Sequence, residues 1–484
     1  MQMADIAVIG LAVMGENLAL NMESKGFHVA VFNRSVQRTE AFLAGRGKGK
    51  HFIGCRTLQE VVSHLQRPRR VFLMIRAGQA VDDMIDALIP LLEEEDIVID
   101  GGNSLFTDTI RRTARLEAHG LRYIGTGISG GEDGALHGPS IMPGGSTQAW
   151  PHVKPIFQKI CAHLDDGFAC CDWIGGDGAG HFVKMVHNGI EYADIQLICE
   201  AYQLLRDGLR MNADELAQTF AQWNETGLKS YLMEITADIM RHRDEDGQPL
   251  LDRILDTAGQ KGTGKWTAIE ALNQGVPVPL IGEAVFSRCL SARREERETA
   301  AGQYRRQTRP AAIADRAALI EKIRQALYAS KIVAYAQGFA LMQTASDSYG
   351  WSLDLGQIAL IWRGGCIIRS IFLDKIKDAY RREPQLRNLL LDPFFRNEIG
   401  KLTDAWSEVV SFAALSGIPL PAFSSALNYF YGYTETRLPA NLLQAQRDYF
   451  GAHTYERVDQ PRGTYFHTHW TGAGDSTSAS TYNA

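Results

Sequence analysis

The hydrophobic pattern of the chain changes once, near residue 177, and this change limits the fold more than any other feature. From residue 4 to about 177, short β-branched runs such as DIAVIG, HVAVFN and DIVIDGG alternate with helical stretches, a pattern typical of a parallel, doubly wound sheet. After GGDGAG at 175–180, segments of helical period continue to about residue 435. We therefore predict a Rossmann-type α/β domain over 1–177, a large all-helical domain over 178–435 and an irregular C-terminal tail over 436–484.

The helical half contains a weak internal repeat. LAQTFAQWNETGLKSYL at 216–232 resembles LGQIALIWRGGCIIRSIFL at 355–373, and a long apolar helix precedes each segment. Trp223 and Trp362 align at an offset of 139 residues. The pattern predicts an internally duplicated helical unit.

The first strand and helix enclose a glycine-rich turn. IAVIGLAVMGENLALNM places Gly10, Ala12 and Gly15 as G-x-A-x-x-G, a motif that is weak alone because glycine often only ends a strand. In this context small residues let backbone N–H groups approach a pyrophosphate at the positive end of the helix. The turn therefore predicts dinucleotide binding rather than a plain connection.

The second predicted strand ends in VFNRS, where a bound cofactor would place its adenosine ribose. Sites for NAD commonly have a carboxylate at this position. Asn33, Arg34 and Ser35 instead offer donors and a cation, which favours the 2′-phosphate of NADP. A solvated loop arginine is the alternative for Arg34 alone.

Two glycine-dense stretches follow later predicted strands, DGGNS at 100–104 and GTGISGGEDGALHGPSIMPGG at 125–145. Ligands of open α/β sheets bind at the carboxyl ends of strands. Backbone amides in such loops can hold a carboxylate or hydroxyl, although glycine-rich loops are as often tight turns. The residues leave both readings open.

The stretch GHFVKMVHNGIEY at 180–192 carries four polar side chains on one predicted helix face. Lys184, His187, Asn188 and Glu191 fall within an arc of about 100°, which by itself is typical of a solvated face. The same stripe continues as Ile195, Ile198 and Tyr202, so we expect the helix to be enclosed on both sides.

The internal repeat provides a control for this stripe. At the offset of 139 residues the four counterparts are Ile323, Ala326, Leu327 and Ser330. The scaffold itself therefore does not require charge on this face, and enclosed charges are costly unless they are paired, ligand-bound or shifted in pKa. We predict a buried reacting site in which Lys184 and Glu191 act as general base and general acid on a small substrate.

The composition limits the classes of partner. A net charge of -6 and a pI near 6.1 argue against nucleic-acid binding. Seven cysteines without a C-x-x-C pair predict reduced thiols and a cytoplasmic protein. The sequence lacks a membrane-spanning run and spaced metal ligands, so we expect neither membrane insertion nor a metal site.

The motifs together resemble the 6-phosphogluconate dehydrogenase family, within the β-hydroxyacid dehydrogenases. The resemblance runs from GLAVMGENLALN through FNRS, GISGGEDGALHGPSIMPGG, GHFVKMVHNGIEY and GQKGTGKW to QRDYFGAHTYER, and covers essentially the whole chain. It implies an NADP-dependent oxidative decarboxylation of 6-phosphogluconate to ribulose 5-phosphate and carbon dioxide, in the oxidative branch of the pentose phosphate pathway. It also implies a homodimer whose tails reach into the neighbouring active sites.

The resemblance assigns roles to individual residues. Lys184 corresponds to the proton acceptor and Glu191 to the proton donor, and Lys184 must start neutral, with a pKa lowered by enclosure or by cations such as Lys261. The implied substrate-binding residues are Asn103, Ser129, Gly130, Gly131, His187, Asn188, Tyr192, Lys261, Thr263, Arg288, Arg447 and His453. The implied cofactor-binding residues are Gly10, Leu11, Ala12, Val13, Met14, Gly15, Asn33, Arg34, Ser35, Ile75, Arg76, Ala77 and Asn103.

The chain departs from the family pattern at a few positions. Arg76 stands where the family usually has lysine and Ser35 where many members have threonine, so charge and hydroxyl are kept. The charged run at 292–310 is interpreted as a solvated surface. Two alternatives remain: a β-hydroxyacid dehydrogenase that does not decarboxylate, and a catalytically inactive NADP-binding protein.

Overall fold

A computed structural model describes residues 3–304 and 315–472 of the chain. The strands are β1 Ile6–Ile9, β2 Val29–Phe32, β3 Phe52–Gly54, β4 Arg70–Leu73, β5 Ile97–Asp100, β6 Arg122–Ser129, β7 Ser140–Gly145, β8 Gly175–Gly176, β9 Tyr455–Glu456 and β10 Tyr465–Phe466. The first eight form one sheet in the order β3-β2-β1-β4-β5-β6-β7-β8. β1, β2 and β5 are buried throughout, as expected for parallel strands covered on both faces. The predicted Rossmann-type sheet is confirmed.

One pairing in this sheet differs from the predicted parallel arrangement. β7 runs antiparallel to β6, from Ser129 opposite Ser140 to Ile124 opposite Gly145. A parallel crossover requires a connection of about a dozen residues or more. The link from Ser129 to Ser140 is shorter and holds only the helix α6 Gly131–His137, so the chain turns back beside the strand it has just left.

The glycine-dense stretch at 125–145 is mostly strand, which corrects the prediction of a loop. β6 extends to Ser129, and SIMPGG forms β7. These glycines admit a long helix, α8 Ala179–Gln203, directly against the strands. A Cβ on Gly127 would overlap the Cβ of Lys184, and a Cβ on Gly180 would overlap the carbonyl oxygens of Gly125 and Met142.

The remaining elements are helical, and most of them follow the sheet. They are α1 Val13–Ser24, α2 Val36–Ala44, α3 Leu58–Ser63, α4 Gln79–Leu88, α5 Phe106–Glu117, α7 Trp150–Ile160, α9 Ala213–Trp223, α10 Tyr231–Arg241, α11 Thr263–Asn273, α12 Pro279–Ser291, α13 Arg294–Gln303, α14 Arg316–Tyr349, α15 Leu355–Ile361, α16 Phe372–Arg382, α17 Pro393–Gly400, α18 Thr403–Ser416, α19 Pro421–Thr434 and α20 Ala440–Gly451. The predicted change to an all-helical second half is confirmed.

The internal repeat has a structural counterpart. Segments that follow the two aligned tryptophans meet at an antiparallel bridge between Ser230 and Ser370. The backbone N–H of Tyr231 donates to the carbonyl of Arg369 at 3.1 Å, and that of Ile371 donates to Lys229 at 3.3 Å. The two segments of the sequence repeat are thus in direct contact.

The chain divides into two compact units, Met1–Ala426 and Leu427–Ala484. The predicted boundary at 177/178 falls inside the first unit, between β8 and α8. The tail is less irregular than predicted, because it contains α20 and the antiparallel pair of β9 and β10. Residues 473–484 of the predicted tail and 305–314, which include part of the charged run, lie outside the described residues; α13, within that run, has no buried side chain.

Two absences hold for residues 3–304 and 315–472. No helix there is long and apolar enough to cross a membrane. Within the same ranges, no group of three or more His, Cys, Asp or Glu side chains is arranged to hold a metal ion.

Candidate active site

The polar stripe of α8 is enclosed by the protein. Lys184 is 6% exposed, His187 0% and Asn188 9%, while the side chain of Glu191 keeps 20% of its surface. The stripe is therefore a buried site with its opening at Glu191. The expected enclosure on both sides arises because β6 and β7 pack on the first turns of α8, and α11, α12 and α14 pack further along.

Asn188 links the lysine to α11. Lys184 Nζ donates to Asn188 Oδ1 at 2.8 Å, and Asn188 Nδ2 donates to Thr263 Oγ1 at 3.0 Å. Because the amide nitrogen is committed to Thr263, its oxygen must face the lysine. A neutral amine can donate to that oxygen and keep its lone pair for a substrate proton.

His187 lies between β6 and the opening of the site. Its Nε2 is 3.4 Å from Ser129 Oγ, and its Nδ1 is 3.1 Å from Asn188 Oδ1 and 3.8 Å from Glu191 Oε2. The tautomer with hydrogen on Nδ1 satisfies these contacts, since Nδ1 then donates to the amide oxygen and Nε2 accepts from the serine. The ring therefore orients its neighbours as a neutral group.

Burial moves the pKa values of the three titratable groups toward their neutral forms. It lowers the pKa of Lys184, opposed by the charges of Glu191 and Cys366. It raises the pKa of Glu191, which Asp194 reinforces and Lys184 and Arg288 oppose. Burial and the charge of Lys184 hold the pKa of His187 well below its usual value. Enclosure, the first of the two expected causes, thus shifts Lys184 toward its neutral form.

Tyr192 and Arg288 continue the site beyond Glu191. The guanidinium carbon of Arg288 lies 3.4 Å from the ring centroid of Tyr192, and Arg288 Nη1 donates to the carbonyl of Gly259 at 3.3 Å. The arginine thus stacks on an aromatic face near Glu191 and can meet an anionic substrate.

Other predicted substrate residues lie at the edges of this group. Gly130 has φ 116° and precedes α6, and Gly131 begins that helix with open space beside its Cα. Lys261 is exposed, next to Gly262, which caps α11 in the left-handed region. Asn103 is exposed on a loop that Asp100 holds by accepting from the Gly102 N–H at 2.9 Å and from Ser104 Oγ at 2.5 Å.

Sequence reasoning missed two groups that contact the stripe from the second copy of the repeat. Trp362 packs edge-on against His187 with ring centroids 5.4 Å apart. The thiol of Cys366 donates to the carbonyl of Trp362 at 3.0 Å and is close enough to Lys184 to affect its pKa. The alignment of Trp362 with Trp223 was the one available signal, but it marked a repeat and not a neighbour of the site.

The predicted cofactor turn has the geometry of a narrow cradle. Gly10 has φ 100°, a region that favours glycine, and a Cβ on Gly15 would overlap the carbonyl of Gly10. The backbone N–H of Leu11 donates to Asn33 Oδ1 at 3.1 Å, which joins the turn to the end of β2. α1 begins at Val13, inside the motif, with Ala12 as its N-cap. These residues fit a dinucleotide phosphate.

The rest of the predicted cofactor surface surrounds this turn. Val13 is 52% exposed, Arg34, Ser35 and Arg76 are exposed, and Met14, Ile75 and Ala77 are half-buried. Arg38 was missed: its Nε donates to the carbonyl of Leu11, and its Nη2 lies 3.2 Å from Glu16 Oε1. It adds a second cation near Arg34, and nothing in its helical context marked it beforehand.

One sizeable cavity in the described residues does not belong to this group. It has a volume of about 750 Å³ and lies between α14, α15 and α16, lined by residues such as Asp354, Lys377 and Tyr380. None of the predicted site residues borders it. Burial and the four-residue stripe, rather than cavity size, identify the site.

Arg447 and His453 lie in the second unit, Leu427–Ala484. Arg447 is on α20, where its Nη1 donates to Gln444 Oε1 at 3.1 Å. His453 follows the end of α20, with its ring centroid 6.0 Å from that of Phe450. Their predicted role at a neighbouring active site stays a prediction.

Comparisons with known proteins bear on the whole chain. The NAD binding domain of 6-phosphogluconate dehydrogenase matches residues 5–175, and the C-terminal domain of that enzyme matches 180–470. The decarboxylating 6-phosphogluconate dehydrogenases of Mus musculus and Homo sapiens are 57% and 56% identical over 484 residues, 100% of both chains. That of Haemophilus influenzae is 54% identical over 99% of each.

A solved structure is also similar over nearly the full length. It is the Plasmodium falciparum 6-phosphogluconate dehydrogenase, determined in its apo form, with its cofactor NADP+ and with its substrate 6-phosphogluconate. The TM-score is 0.92 at 43% identity, covering 96% of this chain and 100% of that one.

Proposed function

This chain belongs to the 6-phosphogluconate dehydrogenase family, and we propose that Lys184 and Glu191 carry out the proton transfers of that family's reaction. The chain is an oxidoreductase that oxidatively decarboxylates 6-phosphogluconate to ribulose 5-phosphate and carbon dioxide with reduction of NADP. The observation that supports the two residues is their enclosure on one face of α8, with pKa values moved toward a neutral amine and a protonated carboxyl.

NADP supplies the hydride acceptor for oxidation at carbon 3 of the substrate. Neutral Lys184 removes the proton of the 3-hydroxyl as that carbon is oxidised. Asn188 holds the amine in place through its oxygen at 2.8 Å. The product of this step is a β-keto acid, and Lys184 now carries the proton.

Loss of carbon dioxide needs a group that receives negative charge at the keto oxygen. Lys184, now an ammonium group in an enclosed site, stabilises that oxygen as the carbon–carbon bond breaks. The same proton that was removed in the oxidation is therefore used in the second step. His187 stays neutral beside it, since burial and the lysine hold its pKa low.

Protonation at carbon 1 of the product, which was carbon 2 of the substrate, completes the reaction. Protonated Glu191 delivers this proton to the enediol that decarboxylation leaves, while the hydroxyl at the former keto oxygen returns its proton to Lys184. Lys184 and Glu191 are seven positions apart, a rise of about 10.5 Å along a helix, so each serves a different carbon of one small substrate. No ion pair within 4.0 Å joins the two in the described part of the chain.

We further propose the predicted binding roles and assembly. Ser129, His187, Asn188, Thr263 and Arg288 bind the sugar acid beside Lys184, with Gly130, Gly131, Tyr192, Asn103 and Lys261 at its edges. Arg447 and His453 act in the active site of the partner subunit of a homodimer. Exposed apolar side chains on α11 and α12, Leu272 at 83% and Phe286 at 69%, support an assembly that covers these helices.

The cofactor contacts, the domain division and the location in the cell are also proposals. The turn from Gly10 to Gly15 holds the pyrophosphate, Asn33, Arg34 and Ser35 hold the 2′-phosphate, and Ile75, Arg76 and Ala77 border the cofactor. The domains are 1–177, 178–435 and 436–484. A cytoplasmic location is supported by the seven cysteines, which are all free thiols.

A steady-state assay of the purified protein with 6-phosphogluconate tests this function. We expect equal amounts of reduced cofactor and trapped carbon dioxide, with a lower KM for NADP than for NAD. Reduced cofactor without carbon dioxide would indicate a dehydrogenase that does not decarboxylate, and cofactor binding without turnover would indicate an inactive binding protein. An Arg34→Ala variant should lose the preference for NADP and keep turnover with NAD.

A further inference from the structure

One buried carboxylate organises the segment that carries Arg447 and His453. Asp448 has no exposed surface. Its Oδ1 accepts from the Thr454 N–H and from His467 Nδ1, both at 2.9 Å, and its Oδ2 accepts from the Thr468 N–H at 3.0 Å and from Trp470 Nε1 at 2.9 Å. All of these residues belong to the unit Leu427–Ala484, and no step proposed above uses the carboxylate.

Asp448 holds the backbone on both sides of His453. Its main-chain carbonyl accepts from the Ala452 N–H at 2.9 Å, and its side chain accepts from the Thr454 N–H. Ala452 and Thr454 have φ values of 48° and 56°, in a region that residues with a Cβ rarely adopt. Such a backbone persists only where surrounding contacts impose it, and two of those contacts end on Asp448.

Arg447 is joined to the same structure by Gln444. Arg447 Nη1 donates to Gln444 Oε1 at 3.1 Å, and Gln444 Nε2 donates to the Thr454 carbonyl at 2.6 Å. Thr454 therefore donates its N–H to Asp448 and accepts through its carbonyl from Gln444. The arginine side chain and the backbone beside His453 are parts of one hydrogen-bonded cluster.

The carboxylate is ionised within this cluster. Burial acts to raise the pKa of Asp448, but bonds from Thr468, His467, Trp470 and Thr454 together hold that pKa below its usual value. A fully buried carboxylate is costly unless its oxygens are satisfied, and here four N–H donors satisfy both. An asparagine would meet two of these donors with its own NH₂ group, whichever way the amide turned.

We infer that Asp448 is a positioning residue that fixes the geometry of Arg447 and His453 for binding the sugar acid in the partner's active site. This inference rests on the proposed role of those two residues. Asp448 itself does not touch the substrate; it sets where a cation and an imidazole can lie.

The test compares Asp448→Asn with Arg447→Ala in the full-length dimer. We expect Asp448→Asn to raise the KM for 6-phosphogluconate by about tenfold to a hundredfold, with kcat and the KM for NADP unchanged, because lost ground-state binding appears in KM alone. Adding Asp448→Asn to an Arg447→Ala/His453→Ala background should raise the KM no further, since the changes remove the same two interactions. Asp459→Asn is the matched control: its carboxylate accepts from Arg457 Nε at 2.8 Å in the same tail but is exposed, and its KM should not change.

Three results would overturn the inference, and they separate it from the function on which it rests. A higher KM for Arg447→Ala with a normal KM for Asp448→Asn removes only the role of Asp448. A normal KM for both variants removes the role of the tail as well. Dimer dissociation, or parallel losses in kcat and NADP binding, would show that Asp448 holds the assembly and not the two side chains.

Trp470→Phe provides a second variant if Asp448→Asn does not fold. It removes one of the four donors and keeps the aromatic ring. We expect a rise of about two- to fivefold in the KM for 6-phosphogluconate, the equivalent of part of one hydrogen bond to a charged group. An unchanged KM in a folded dimer would contradict the inference.

Discussion

The helices α8 and α14 correspond to each other in the sequence repeat, and we propose chemistry for α8 alone. Lys184, His187, Asn188 and Glu191 on α8 correspond to Ile323, Ala326, Leu327 and Ser330 on α14, and all four counterparts have no exposed surface. The helices pack together through an ion pair of 2.9 Å between Lys331 and Asp194. At these four positions α14 is buried without a charge, so the polar side chains of Lys184, His187, Asn188 and Glu191 are an addition to this face of α8.

The largest effects on activity and stability are expected at two buried lysines, one on each helix. Lys184→Met should lower kcat by about 10³-fold, the usual contribution of a general base, and leave the KM for NADP unchanged. Lys331→Met, on the other copy, should keep kcat and lose about 3–5 kcal/mol of unfolding free energy, because Asp194 is then buried without its partner. Near-normal turnover by the first variant would end the assignment of Lys184; steady-state kinetics and denaturant unfolding measure both.

Substitution of Glu191 should have the second largest effect on activity. Glu191→Gln should lower kcat by about 10²-fold, because the proton for carbon 1 is missing, and NADP should still bind normally. Glu200→Gln is a matched control on the same helix: burial raises the pKa of Glu200 to about 7, but its carboxylate accepts from the N–H groups of Ala422 and Phe423. That variant should cost stability and leave kcat unchanged. Equal kcat values for the two variants would contradict the role of Glu191.

The pH dependence of kcat/KM tests the same contrast, since Lys184 and Glu191 are on α8 and have no titrating counterparts on α14. The lowered pKa of Lys184 and the raised pKa of Glu191 favour the reactive forms, a neutral amine and a protonated carboxyl. Activity should fall on the acidic side as Lys184 gains a proton and on the alkaline side as Glu191 loses one, about tenfold per pH unit beyond each pKa. A profile of Glu191→Gln that kept the alkaline limb would assign that limb to another group.

Alanine substitutions of one glycine on each helix should differ by a smaller amount in unfolding free energy. Gly180→Ala on α8 should cost about 1–3 kcal/mol, because the new Cβ meets backbone carbonyls of β6 and β7 that cannot move aside. Gly338→Ala on α14 meets Cδ1 and Cγ1 of Ile190 at 2.5 and 2.6 Å; these are side-chain atoms, which can shift where backbone cannot, and alanine favours helix by about 1 kcal/mol over glycine. Thermal unfolding should therefore place Gly338→Ala near the parent chain; a larger loss at Gly338 than at Gly180 would contradict this reading of the packing.

Ser330→Ala should have the smallest effect. Ser330 is the counterpart of Glu191, and its Oγ is buried with no hydrogen-bond partner in the described residues. Removing it should change the unfolding free energy by no more than about 0.5 kcal/mol and leave kcat as it is. A loss of activity here would show that the second copy also takes part in the chemistry.

The elements predicted well are those whose signal is local and periodic. The strand runs and the stripe from Lys184 to Glu191 have the residue spacing of the strand and the helix that they form, and the turn at Gly10 has a recognisable motif. The internal repeat added a control for the stripe. The first part of β6, LRYIGTG, was predicted as a strand, but β7 was not, because a glycine that admits a helix resembles a glycine that makes a turn. Arg38 was missed because its partner, the carbonyl of Leu11, is distant in sequence. Asp448 was missed because its partners lie in later turns of the tail.

The glycines of β6 and β7 that contact α8 limit how the substrate specificity of this enzyme can be changed. The height of α8 above the sheet is set by backbone touching backbone at Gly180 and by the Cβ of Lys184 over Gly127. Because these contacts involve backbone atoms and a Cβ, substitution of other side chains cannot increase this distance in small steps. A change in the substrate that fits must therefore come from side chains around the opening of the site, such as those on α11 and α12, while Lys184 keeps its distance from β6 as long as these glycines are kept.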